Sequence, residues 1–239
     1  MLILGKFPTK LNQMISSLVS LIFPNICFAC GDTLANQQKH ICTSCFLSMP
    51  RTNFFGSEKN EVEQKFWGRV ELQRATSFLY FTNKGKVQQI IHHFKYKGQK
   101  EIGVTLGEWA AAELLTQGFF ESIDLIIPIP IHELKKQKRG YNQSDFIAAG
   151  LGNLTGIEIE TKNLVKQLNT QSQTRKSRFK RWENVKTTFK VRDEQKLTGK
   201  HILLVDDVIT TGATVEACAI ELLKVQNVKL SLLSIAMTY

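Results

Sequence analysis

One stretch narrows the choice of fold more than any other: His201-Ile-Leu-Leu-Val-Asp-Asp-Val-Ile-Thr-Thr-Gly-Ala-Thr214. It opens with an apolar run, His201 to Val205, with the length and composition of a buried strand. Two adjacent carboxylates, Asp206 and Asp207, come next, and then a turn of small residues, Thr210, Thr211, Gly212, Ala213 and Thr214. Helical spacing resumes at Val215, Ala219, Leu222 and Leu223. Strand, turn and helix in this order build a parallel α/β sheet. The turn also has chemistry. The first N–H groups of a helix lack intrahelical partners and carry the positive end of its dipole, so a phosphate can sit there among the hydroxyls. Gly212 lets the backbone bend tightly and approach a ligand. Carboxylates beside such a cradle can accept hydrogen bonds from ribose hydroxyls, directly or through Mg²⁺.

A chain of 239 residues can bury one substantial α/β core and carry a small appendage. Its net charge of +10 favours anionic partners: phosphates, nucleic acid or an anionic membrane surface. No apolar run reaches the roughly 18 residues of a membrane span. Near the start, Leu11, Met14, Ile15, Leu18, Leu21 and Ile22 recur at helical spacing before Pro24. They predict an amphipathic helix packed on the body of the protein. Docking on a membrane surface is the alternative, and no small-residue cleavage site of a signal peptide follows.

Four of the five cysteines form two knuckles, Cys27-Phe-Ala-Cys30 and Cys42-Thr-Ser-Cys45, separated by eleven residues. Each knuckle aims two thiolates at one tetrahedral ion, so the spacing predicts a closed, structural Zn²⁺ site. Two disulfides are the alternative, but nothing else in the chain suggests secretion. His40 is surplus to the four ligands, and Cys218 falls on the apolar side of the helix after the Thr-rich turn.

Three segments are expected: residues 1–50, helix and zinc knuckles; 51–66, a polar linker; and 67–239, the α/β domain. Within the last, strands are expected near Phe78–Phe81, at Leu125–Pro128, at His201–Val205 and at Val228–Ala236. Helices are expected at Val87–His93, Val104–Leu115 and Asn142–Leu154, the last stopped by Gly156. The alternation implies a doubly wound, mostly parallel sheet with its ligands at the carboxyl ends of the strands.

Two segments are basic. Lys135, Lys136, Lys138 and Arg139 follow the strand that ends in Pro128 and Pro130, and Asn142 and Gln143 stand at a helix start, where anions are favoured. From Lys162 to Arg192 there are ten Lys and Arg against Glu183 alone. Its centre lacks periodicity, and Phe179 and Trp182 are interleaved with Arg175, Arg178 and Arg181. Such a mixture suits a mobile cationic lid or a track for single-stranded nucleic acid; a solvated basic face is the plain alternative.

The segment from His201 to Thr214 resembles the loop by which type I phosphoribosyltransferases bind 5-phosphoribosyl-1-pyrophosphate (PRPP). With the knuckles, Phe94-Lys-Tyr-Lys-Gly98, Ile127-Pro-Ile-Pro130 and Arg139-Gly-Tyr-Asn-Gln143, the chain from Cys27 to Thr238 is similar to the ComF family, also called GntX-like or competence-protein-F-like. The resemblance implies a zinc finger joined to a type I phosphoribosyltransferase fold. It implies PRPP binding by Asp206, Asp207, Thr210, Thr211, Gly212, Ala213 and Thr214. It implies a pyrophosphate loop with Pro130, Arg139, Asn142 and Gln143, a flexible basic loop with Arg175, Arg178 and Arg181, and Asp206, Asp207 and Arg139 as the catalytic set. The implied cofactors are structural Zn²⁺ at Cys27, Cys30, Cys42 and Cys45, and Mg²⁺ bound with PRPP. Three functions remain open: a cytoplasmic phosphoribosyltransferase linked to DNA uptake or nucleotide salvage, a non-catalytic competence factor that binds single-stranded DNA, and a PRPP-responsive regulator with protein partners such as competence proteins.

Overall fold

A computed structural model describes residues 25–35, 37–54, 59–167 and 189–238. The chain divides into two compact units, Met1–Met49 and Pro50–Tyr239. In the first, the described residues form an antiparallel bridge between Ile26 and Thr33 and a short helix, α1 (Thr43–Leu47). In the second, the order is α2 (Glu61–Phe66), β1 (Arg74–Tyr80), α3 (Lys86–Tyr96), α4 (Glu101–Leu115), β2 (Leu125–Pro128), α5 (Glu133–Arg139) and α6 (Gln143–Thr155). It continues through β3 (Glu158–Ile159), β4 (Leu164–Lys166), β5 (Phe189–Val191), β6 (His201–Ile209), α7 (Ala213–Leu222) and β7 (Lys229–Met237).

Five of these strands form one sheet in the order β1-β7-β6-β2-β3, with every pairing parallel. β6 lies in the middle, and Ile202 to Val205 are wholly buried, because a parallel sheet is covered on both faces. From β2 the chain passes through α6 outward to β3, and from β6 it passes through α7 outward to β7 on the other side. The direction of winding therefore reverses between β2 and β6. Right-handed crossovers running in opposite directions put α6 and α7 on opposite faces, which makes this junction the crevice where such sheets bind ligands.

On one face, α4 and α6 meet almost backbone to backbone. A Cβ on Gly107 would lie 2.3 Å from the Ile147 carbonyl, and one on Gly150 would lie 2.1 Å from that of Val104, so the approach requires glycine at both positions. On the other face, Ile202 and Leu204 of β6 join Val215, Cys218 and Leu222 of α7 and Leu164, Phe189 and Val191 of an antiparallel ribbon, β4–β5. Cys218 is thus a core residue.

The expected strands and helices of the sheet are present, several longer than expected, and Gly156 caps α6. Three features differ. Part of the segment expected to be a linker is helix α2: Asn60 Oδ1 accepts from the N–H groups of Val62 (2.9 Å) and Glu63 (3.1 Å), and its Nδ2 donates to the Ala75 carbonyl at 2.8 Å. The polar residues before Glu61 hid an N-cap, and Val62 and Phe66 four residues on bury one face. Residues 50–52 pair with the edge of β1, Thr52 N–H donating to Phe78 and Tyr80 N–H to Pro50. The basic stretch after Pro130 is also helical, as α5, with no buried residue. The N-terminal amphipathic helix and Arg175, Arg178 and Arg181 lie outside the described residues. Among the described residues no helix is long and apolar enough to cross a membrane.

Candidate functional site

Because side chains alternate along a strand, the two acids at the end of β6 point to opposite faces. Asp206 continues the row of Ile202 and Leu204, the row that packs on α7 and the ribbon, and burial first, with the Asp206 charge second, raises the Cys218 thiol. Asp207 continues the row of Leu203 and Val205 and meets α3, where Lys95 Nζ lies 2.8 Å from its Oδ1. Burial first, and the neighbouring Asp207 carboxylate second, push Asp206 up to about 7, against the pull of the Asp207 backbone N–H, Lys95 and Ser144. The N–H of Asp207 donates to Asp206 Oδ1 at 2.9 Å, and Ser144 Oγ at the start of α6 is 3.5 Å from the same oxygen.

The turn after β6 leaves Thr210, Thr211, Ala213 and Thr214 exposed around a buried Gly212. Gly212 has φ of +77° and caps α7, so the open N–H groups of the first helical turn share the carboxyl end of the sheet with the acids. The turn is braced from behind by a distant part of the chain. A Cβ on Gly212 would lie 2.8 Å from the Phe66 ring. Arg69 stacks over that ring, donates to the Thr211 carbonyl at 3.1 Å and to the Lys65 carbonyl at 2.9 Å, and forms an ion pair with Glu216 in the first turn of α7. Arg69 carries no local signal for this role: it stands in no motif, and Thr211 and Glu216 are more than 140 residues away.

The β2 side of the crevice is cationic. His132 Nδ1 caps α5 by accepting from the Leu134 N–H at 3.2 Å, and Gly140 ends it. Arg139 Nη1 donates to Gln143 Oε1 at 2.8 Å, and its guanidinium lies 5.3 Å from the centre of the Tyr96 ring on α3. Lys95, Tyr96, Gly98, Lys135, Lys138 and Arg139 line a cavity of about 350 Å³. Asn142 and Gln143, expected to donate to an anion, are both buried. Asn142 Nδ2 is committed to the Ile129 carbonyl at 3.1 Å and to Asp145 at 2.7 Å, while Asn142 Oδ1 and Gln143 Nε2 have no partner. Burial also raises Asp145. Pro130 lies two residues beyond the end of β2, at the entrance to this loop. At the end of β4, burial lowers Lys166, and the Asp206 carboxylate partly offsets this.

In the first unit the thiols of Cys27, Cys30, Cys42 and Cys45 all lie within 4.8 Å of one another, so the cluster could hold a metal ion. Cys30 Sγ and Cys42 Sγ are 3.9 Å apart, and a tetrahedral ion with bonds of about 2.3 Å to sulfur spaces its ligands at about 3.8 Å. Backbone donors already face these sulfurs. Cys27 Sγ accepts from Ala29 and Cys42, and Cys42 Sγ accepts from Cys45, where α1 begins. Burial pushes the Cys27 thiol up, but the N–H groups of Cys42, Ala29 and Cys30 together outweigh it and bring it to about 7. His40 stacks against Phe28 and is not one of the four.

Residues 107–238 match the model of the phosphoribosyl transferase domain, more than half of the chain. The chain belongs to that family. The DNA utilization protein YhgH of Salmonella typhi is 29% identical over 215 residues, covering 85% of this chain and 93% of the relative. Competence protein F of Haemophilus influenzae is 26% identical over 198 residues, covering 79% and 86%. Competence protein ComFC of Bacillus subtilis is 24% identical over 194 residues, covering 81% and 76%. The likeness to the ComF family thus rests on a phosphoribosyltransferase-type domain in a chain that also carries a four-cysteine cluster able to hold a metal ion.

Proposed function

We propose that the crevice between β2 and β6 binds PRPP with Mg²⁺, and that the protein transfers or senses the phosphoribosyl group. One observation carries this reading: the acidic pair lies near the carboxyl end of the central strand at the winding reversal, two residues before the Thr-rich turn that starts α7. Thr210, Thr211, Gly212, Ala213 and Thr214 take the 5′-phosphate with hydroxyls and backbone N–H groups. Asp206 and Asp207 take the ribose hydroxyls. Arg139, with Lys135 and Lys138, neutralises the pyrophosphate as it departs, and the buried Asn142 and Gln143 hold Arg139 and its loop. Arg175, Arg178 and Arg181 supply further positive charge for the pyrophosphate as it departs.

The residues present suit Mg²⁺. The Asp207 carboxylate is a hard oxygen donor of the kind it takes, and a cation, the Lys95 ammonium, already stands 2.8 Å from it. When bound, the ion would supply further charge neutralisation on the leaving pyrophosphate. The four-thiol cluster is assigned to structural Zn²⁺, and residues 1–50 and 67–239 are taken as a zinc domain and a transferase domain acting in the cytoplasm. Elemental analysis of protein purified without chelator should find one zinc per chain; none would overturn the assignment.

Pyrophosphate release from PRPP and Mg²⁺, measured across a panel of bases and amines, tests the catalytic reading. Release with one acceptor supports transfer, binding without release supports sensing, and no PRPP binding by calorimetry overturns both. The relatives' names, DNA utilization and competence, favour a second reading in which the basic surface handles single-stranded DNA alongside competence proteins. Oligonucleotide affinity should then fall with salt, with a logarithmic slope of about −0.7 per phosphate contact.

A further inference from the structure

Lys95 touches two features that are otherwise separate. Its ammonium is 2.8 Å from Asp207, and it lines the cavity that also contains Lys135, Lys138 and Arg139. Among the described residues no acid lines that cavity, and the Asp207 carboxylate is the negative group that holds Lys95 back from three neighbouring cations. The side chain is largely shielded from water at both ends of the pair, 19% exposed for Lys95 and 12% for Asp207, so water screens the pairing only in part. A lysine has a compact charge on four rotatable carbons, and it can change partners by rotation about its own stem.

We propose that Lys95 is a positioning residue with two stations. With the crevice empty it neutralises Asp207. When a divalent cation takes over at Asp207, Lys95 turns into the cavity and binds the diphosphate that arrives with that cation. Both moves are favourable only together. The incoming cation repels the ammonium from the carboxylate, and the diphosphate gives the ammonium a new partner beside Arg139. Tyr96 and Gly98 supply the wall on the α3 side, and Arg139, held at 5.3 Å over the Tyr96 ring, supplies a planar fork that a diphosphate can engage. The consequence is coupling: metal and diphosphate each ease the binding of the other through one side chain. This role rests on the PRPP reading of the crevice, but it makes predictions for the two ions separately.

The test titrates the full chain by calorimetry with Mn²⁺ alone and with inorganic pyrophosphate alone, in wild type, Lys95→Met and Lys95→Arg. The Lys95→Met variant keeps most of the apolar stem and removes only the charge. It should bind Mn²⁺ more tightly, because the competing cation is gone. It should bind pyrophosphate about tenfold more weakly, the loss expected for one charge-assisted hydrogen bond. The Lys95→Arg variant should stay close to wild type with both probes. Shifts in the same direction, or no shift with either probe, overturn the proposal, because a lysine that only braces the fold would move both affinities together. Wild-type protein that binds Mg²⁺-PRPP while Lys95→Met leaves both probes unchanged removes the role of Lys95 alone. Opposite shifts in a protein that does not bind PRPP remove the PRPP reading alone. If Lys95→Met fails to fold, acetylation of the folded wild-type protein, with Lys95 modification followed by peptide mass spectrometry, decides the matter. Mg²⁺ with pyrophosphate should then protect Lys95, and unchanged labelling overturns the exchange.

Discussion

The wall of the crevice formed by β6 and α7 comes from one run of fourteen residues, His201 to Thr214, whereas the cationic wall gathers Lys95 and Tyr96 from α3 and Lys135, Lys138 and Arg139 from α5. The contiguous wall is rigid. Its acids sit in a central strand, and its turn is wedged between Phe66 and the start of α7. The assembled wall is carried by an exposed seven-residue helix with no buried side chain and by lysines with long stems. A rigid cradle beside an adjustable set of cations suits a ligand whose sugar phosphate stays fixed while its diphosphate changes or leaves.

The largest effect that could break this contrast is expected at the acids. Replacing Asp206 and Asp207 together with Asn should weaken Mg²⁺-PRPP binding by about 10- to 100-fold per site while the circular dichroism spectrum stays native. Unchanged affinity by calorimetry would mean that the contiguous wall is scaffold only.

Next in size is the pH dependence of Asp206. Its pKa in the folded protein, about 7, lies above the ordinary 3.8, so the folded state holds the proton more tightly than the unfolded chain. This contribution is fully present below about pH 4, is lost as pH rises toward 7, and amounts to at most about 4 kcal/mol. Urea titrations of the ligand-free protein should therefore give a steeper decline from pH 4 to 7 in wild type than in Asp206→Asn. Parallel profiles would place Asp206 in water rather than inside the rigid wall.

A smaller loss, about 1–3 kcal/mol of stability, is expected for Gly212→Ala, which puts a Cβ at positive φ and against the Phe66 ring. Loss of PRPP affinity should accompany it. Phe66→Leu in the same background should restore part of both, and failure to restore either would deny that Phe66 wedges the turn.

The smallest effect belongs to Arg69. Its ion pair with Glu216 is partly exposed, so Arg69→Ala should cost less than about 1 kcal/mol of stability. The affinity for ribose 5-phosphate should nevertheless fall by about threefold, because the Thr211 carbonyl loses its partner. An unchanged affinity would confine the bracing to Phe66.

These expectations follow the line between what was legible along the chain and what was not. Leu125–Pro128, His201–Val205 and Gly156 announced themselves because period, length and stop signals act within a few residues. Helix α2 was hidden because Asn60 reads as a loop residue until its side chain is seen bridging Val62, Glu63 and Ala75. Asn142 and Gln143 read as ligand donors by position, and only the fold shows that both are buried, with Asn142 Nδ2 on Ile129 and Asp145 and Gln143 Oε1 accepting from Arg139.

By itself, the order of residues determined the α/β sheet, the knuckle pairs and the place of the acids before a Thr-rich helix start, since each depends on neighbours close in the chain. Only the tertiary structure decided that Asp206 and Asp207 face different partners, that Lys95 stands between Asp207 and a cationic cavity, and that Phe66 and Arg69 brace the turn. The contacts of Lys95 with Asp207 and of Arg69 with Thr211 join residues 112 and 142 positions apart. Local propensity carries no information about such pairs. They form because the winding of the sheet brings α2 and α3 to the carboxyl end of β6, where burial and charge then select the partner.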